Sequence, residues 1–160
     1  MRRPNLPLSG GCRCGAIRYA LTAPPLMLYA CHCTNCQRQS GSAMTLNMPV
    51  PAAAFRIVQG TPRGWRRPNA AESYSTSWFC GDCSGRIYGS QDDRPEMHFL
   101  RAGTLDDTGW LEPAAHFFTR SAQPWERFED GTPTFETMPE DFAALRATWK
   151  AQWEAAESGA

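Results

Sequence analysis

The chain has 160 residues, 42% of them hydrophobic, enough to fill one modest core and too few for two. Lys plus Arg and Asp plus Glu number 16 each, so no overall field exists to hold a nucleic acid or an anionic membrane, and neither is expected as a partner. No stretch approaches a membrane span, and the arginines of MRRPNLPLSGG precede no apolar segment, so a soluble cytoplasmic protein is expected.

Short strands separated by Gly and Pro dominate the pattern, which predicts a mainly β domain. Residues 16–22 alternate, with Ile17, Tyr19 and Leu21 on one face, until Pro24 and Pro25 stop the strand and a hairpin-like return follows. Further strands are expected over 26–31, 43–50, 55–58, 74–79, 96–102 and 115–119. Residues 61–72, TPRGWRRPNAAE, read as a loop that gathers Arg63, Arg66 and Arg67 around Trp65, the one basic cluster along the chain. From Pro139 the period changes. Phe142, Leu145, Trp149 and Trp153 fall along one side of a helix, with Pro139 just inside its start and Glu140 and Asp141 in its first turn. That stripe suits packing on the sheet, or else a homodimer interface.

Cysteine departs most from background. Seven thiols cannot all pair in disulfides, and in a reducing compartment clustered thiols read as metal ligands. They form three groups: Cys12 with Cys14, Cys31 with Cys33 and Cys36, and Cys80 with Cys83. Two intervening residues bring both sulfurs of a pair to one zinc at about 2.3 Å. A Cys-x-Cys pair on a strand points both side chains to one face, and Gly10, Gly11 and Gly15 allow close backbone approach around the first pair. Structural zinc takes four protein ligands, whereas catalytic zinc takes three and keeps one position open. Seven therefore divides as Cys12, Cys14, Cys80 and Cys83 in a structural site and Cys31, Cys33 and Cys36 in an open one, giving two zinc ions per chain. Spacing also permits a double-knuckle site of Cys33, Cys36, Cys80 and Cys83. His32, between two strand-like cysteines, points the other way and reads as a packing histidine, as do His98 and His116 in apolar strands.

At these residues the sequence resembles the glutathione-dependent formaldehyde-activating (GFA, or centromere-protein-V) family, whose fold is the Mss4-like β-tent. The resemblance runs from about Leu8 to Phe135, on GGCRCGAIRY, CHCTNCQRQSGS, FCGDC, AGTLDD, HFFTRSAQPW and DGTPTF. It implies a GFA-type zinc domain over 8–136 of short antiparallel strands, with 137–160 a helical extension, and the same four-plus-three division of the cysteines. Ser84 stands where the family commonly has glycine, and Gly85 is expected to take over that turn.

Three thiolates on a divalent ion leave it weakly acidifying, so hydrolysis is not the expected chemistry. A substrate thiol entering the fourth position would lose its proton and stand ready to add to an aldehyde, the reverse being carbon–sulfur cleavage. The resemblance implies glutathione as the thiol and formaldehyde or a related small carbonyl compound as its partner, that is, a carbon–sulfur lyase like S-(hydroxymethyl)glutathione synthase. Carboxylates of such a thiol point to Arg38, Arg66 and Arg67 by charge, and Ser40 and Ser42 offer hydroxyls near the metal. A non-catalytic zinc-stabilised binding module and a redox sensor are the competing classes.

Overall fold

A computed structural model describes residues 3–69, 71–129 and 131–156. The chain runs through β1 (Leu8–Gly11), β2 (Arg18–Leu21), β3 (Tyr29–Cys31), α1 (Thr34–Ser40), β4 (Thr45–Pro51) and β5 (Phe55–Gln59). It continues through β6 (Arg63–Pro68), β7 (Tyr74–Phe79), β8 (Arg86–Gln91), β9 (Met97–Arg101), β10 (His116–Phe117), β11 (Thr134–Phe135) and α2 (Phe142–Ala155). A three-stranded sheet has the order β1-β2-β5, and an eight-stranded sheet the order β11-β10-β3-β4-β9-β8-β7-β6. This is a mainly β fold of short strands with one C-terminal helix, consistent with the Mss4-like class.

The alternation over 16–22 reflects real faces: Ile17, Tyr19 and Leu21 are buried, and Thr22 is exposed. The hairpin expected after Pro24 and Pro25 does not form, because β2 pairs with β1 and β5 while β3 joins the other sheet. The chain crosses between sheets there. Most pairings are antiparallel, but β10 runs parallel to both β3 and β11. Central β4 carries two prolines, Pro49 and Pro51, beyond the three residues that pair with β3; on that side Pro49 uses only its carbonyl, which accepts from Leu26 N at 2.8 Å.

Residues 63–68 are not loop but β6, an edge strand paired with β7. Nearly every side chain on it is exposed, so no alternation marks it, while its arginines and Pro68 guard the free edge against further pairing. The helix likewise begins later than its proline suggests. Asp141 is the N-cap, its carboxylate accepting from Ala143 N at 2.8 Å and Ala144 N at 3.1 Å, and the first turn holds no acidic residue. The aromatic stripe serves the core: Trp149 and Trp153 are buried with Trp110, and Phe142 and Leu145 pack against the same cluster. No described helix is long and apolar enough to cross a membrane.

Candidate functional site

The seven sulfurs fall into two clusters, Cys12, Cys14, Cys80 and Cys83 in one and Cys31, Cys33 and Cys36 in the other, each with its atoms within 4.8 Å of one another. Cys33 and Cys36 do not meet Cys80 and Cys83. In the first cluster Cys12 and Cys14 sit in the turn after β1 rather than on a strand, and Cys80 and Cys83 in the turn between β7 and β8. The cluster thus ties the three-stranded sheet to the eight-stranded one. The Cys12 and Cys14 sulfurs are 3.5 Å apart and those of Cys14 and Cys80 3.7 Å. Ligands at about 2.3 Å from a tetrahedral ion stand about 3.8 Å from each other, so the donor set fits zinc. Backbone N–H groups of Ile17 and Asp82 donate to the Cys12 and Cys80 sulfurs, the outer bonds that steady thiolate ligands. Backbone bonds at Gly85 and Cys14 hold the Cys83 thiol down to about 6.

The turn after Cys83 is made differently from expectation. Ser84 itself takes the left-handed conformation, φ +58°, and Gly85 does not. At Gly85 space is tight, since a Cβ there would lie 3.3 Å from the Cys83 sulfur.

The second cluster is local. Cys31 ends β3, Cys33 is the N-cap of α1, and Cys36 lies in the first turn, its N–H donating to the Cys33 sulfur at 3.4 Å. Sharing with Cys31 and Cys33 holds the Cys36 thiol far below its ordinary range, helped by Thr45 and Arg101. The helix is pinned from behind: Gln37 Nε2 donates to the carbonyls of His32 at 2.6 Å and Ser121 at 2.7 Å, and Gln123 Nε2 donates to Gln37 Oε1 at 2.8 Å. His32 turns away from the sulfurs, fully buried, with Nε2 3.0 Å from His116 Nδ1. Burial, then the neighbouring His116, pushes it below its ordinary value and favours the neutral ring. His98 packs on Phe55 and Tyr88.

Cys31, Cys33 and Cys36 open onto a cleft of about 370 Å³, whose lining includes no member of the four-sulfur cluster. Phe99, Phe118, Met138 and Phe142 supply apolar walls. Phe118 carries φ +59°, an uncommon conformation for an aromatic residue, at this cleft.

Of the polar candidates, Arg67 lines the cleft, but Arg38 and Ser42 are exposed away from it. The Ser40 hydroxyl donates to the Cys36 carbonyl at 2.9 Å and faces a neighbouring cavity of about 430 Å³. Arg66 pairs with Asp92 at 2.6 Å and lies over the Tyr74 ring. Sequence reasoning missed Arg86, Arg94, Arg101 and Arg146, which line the cleft from the consecutive strands β8 and β9, the turn between them, and the distant helix α2.

The family model for glutathione-dependent formaldehyde-activating enzyme matches residues 7–121, well over half of the chain. The chain belongs to this family. All seven cysteines of this GFA protein lie inside the matched residues, and α2, with the cleft residues Met138, Phe142 and Arg146, lies beyond them. A crystal structure of a Rhodobacter sphaeroides protein is similar at TM-score 0.50 and 19% identity, covering 62% of this chain and 89% of the other. At that identity the likeness concerns the fold alone.

Proposed function

We propose that this GFA protein is a zinc-dependent carbon–sulfur lyase acting on adducts of a glutathione-like thiol with formaldehyde or another small carbonyl compound. The observation that carries the reading is the unequal exposure of the two sulfur clusters to the cleft. Cys12, Cys14, Cys80 and Cys83 would hold a structural ion, and Cys31, Cys33 and Cys36 a second ion facing substrate. A divalent ion held by three thiolates supplies a position at which a substrate thiol is carried without its proton.

In the synthetic direction the thiolate sulfur forms a bond to the carbonyl carbon, the carbonyl π pair moves to oxygen, and that oxygen takes up a proton. Cleavage reverses each change: the hydroxyl proton leaves, the carbonyl re-forms, and the carbon–sulfur pair returns to sulfur. The chain's own contribution is placement. Gln37 and its carbonyl partners fix α1, and with it Cys33 and Cys36, while Phe99, Phe118 and Phe142 give the cleft its apolar walls.

Cobalt in place of zinc tests this, because its visible absorption depends on ligand type and geometry. Glutathione should change the spectrum of the wild-type protein and leave Cys33→Ser unchanged, and adduct formation should be lost in the same variant while the fold persists. A fully metallated wild type whose spectrum ignores glutathione and other small thiols would remove this reading in favour of a zinc-stabilised binding module.

A further inference from the structure

Charge is unevenly spread in this neutral protein. Among its described lining residues the cleft has five arginines, Arg67, Arg86, Arg94, Arg101 and Arg146, and no carboxylate. Arg94 stands 3.8 Å from Asp93. Three of the others carry unpartnered donors. Arg86 Nε and Nη1 are buried with no hydrogen-bond partner among the described residues, and so are Arg101 Nε and Arg146 Nε, although Arg146 Nη2 donates to the Met97 sulfur at 3.2 Å. The rest of Arg101 is aimed by neutral acceptors: Nη1 donates to Thr45 Oγ1 at 3.0 Å and to Asn47 Oδ1, and Nη2 to Gln39 Oε1 at 3.1 Å. Burial first, and the charge of Arg101 next, push the Arg86 guanidinium down to about 9. A guanidinium keeps its proton in a protein, so the folded chain bears that cost until an anion relieves it.

The thiolates alone do not account for these cations. Three thiolates on a divalent ion carry one formal negative charge, which two guanidiniums already exceed. We propose that Arg86 and Arg101 form a carboxylate-binding subsite in the cleft beside Cys31, Cys33 and Cys36. Guanidiniums whose buried N–H donors lack partners keep an unmet demand for negative charge and acceptors, which a carboxylate in the cleft would supply. The subsite rests on the thiol-lyase reading only for the identity of its ligand. There the carboxylate belongs either to the thiol or to the carbonyl partner, and in both cases an anionic substrate is preferred over a neutral one of the same size.

The test uses S-methylglutathione, which keeps both carboxylates but has no free thiol, titrated calorimetrically into the metallated protein. Arg86→Gln and Arg101→Gln should each weaken its binding at least about tenfold, the loss of one charged hydrogen-bonded contact. Binding of uncharged 2-mercaptoethanol to Arg86→Gln, followed by cobalt absorption, should change by less than about twofold, while Arg101→Gln, whose side chain also supports the Cys36 thiolate, is read by S-methylglutathione alone. Succinate should compete with S-methylglutathione on the wild type, and high salt should weaken both, so the subsite is readable even if neither variant folds. Glyoxylate competing better than succinate would place the carboxylate on the carbonyl partner, still at this subsite. Wild-type protein that fails to bind S-methylglutathione, or variants that bind it as tightly, would overturn the proposal. So would an equal loss of 2-mercaptoethanol binding together with metal, since the arginines would then serve only the thiolates. Arginine-dependent binding of S-methylglutathione by a protein whose cobalt ignores every thiol would retain the subsite and discard the lyase reading.

Discussion

Removing one sulfur from each cluster should cost unequal amounts of stability, and the structure says by how much. Cys14 and Cys80 are 66 positions apart in sequence, and their cluster joins two sheets. Treated as a cross-link, a closure of that length restricts the unfolded chain by about 4 kcal/mol, whereas one confined to residues 31–36 gives about 2 kcal/mol. For a chain of this size these become falls in melting temperature of about 8–16 °C for Cys80→Ser and about 4–8 °C for Cys36→Ser. The assay is thermal unfolding followed by circular dichroism, with metal content measured on each sample. Wild type should hold two zinc ions and each variant one. Because metal binding energy at a structural site is folding energy, chelated wild type, which has lost both ions, should melt below Cys80→Ser by about the 4–8 °C assigned to the second cluster. Equal falls in Cys80→Ser and Cys36→Ser would refute the reasoning, and would mean that both clusters hold the fold in the same way.

Two further substitutions probe the frame around the site. Ser84→Gly should stabilise the protein by about 1 kcal/mol in urea unfolding, because the residue sits at φ +58° where glycine has no Cβ to strain; a loss would show that the hydroxyl matters more than the backbone. Trp149→Ala should destabilise by about 4 kcal/mol, since the ring is 1% exposed and its Nε1–H donates to the Pro25 carbonyl at 3.0 Å. A change below about 1 kcal/mol would contradict the docking of α2 on the core.

The thiol groups were legible in the sequence because ligand spacing is a local property: a tight turn brings Cys80 to Cys83, and a single helical turn brings Cys33 to Cys36. The mainly β class, the buried face of β2 and the apolar stripe of α2 were legible for the same reason, since period and burial agree along each segment. Elements without such a contrast were not. The strand β6 is exposed on both faces, β8 is buried at Ile87, Tyr88 and Gly89 in succession, and the seven residues of α1 include none that is buried. Ligand count favoured the four-plus-three division but spacing also permitted Cys33 and Cys36 with Cys80 and Cys83, and the tertiary structure decided between them, because the join between Cys14 and Cys80 is made by two sheets meeting and not by spacing. It alone also decided the charge of the cleft. The arginines clustered along the chain at 63–67 mostly face solvent or Asp92, whereas Arg86, Arg101 and Arg146 come from two strands and a helix. Arg86 and Arg101 are near in sequence, but the cleft that joins them to Cys31, Cys33, Cys36 and Arg146 exists only after the strands have chosen their neighbours, and such pairing leaves no local period in the sequence to read.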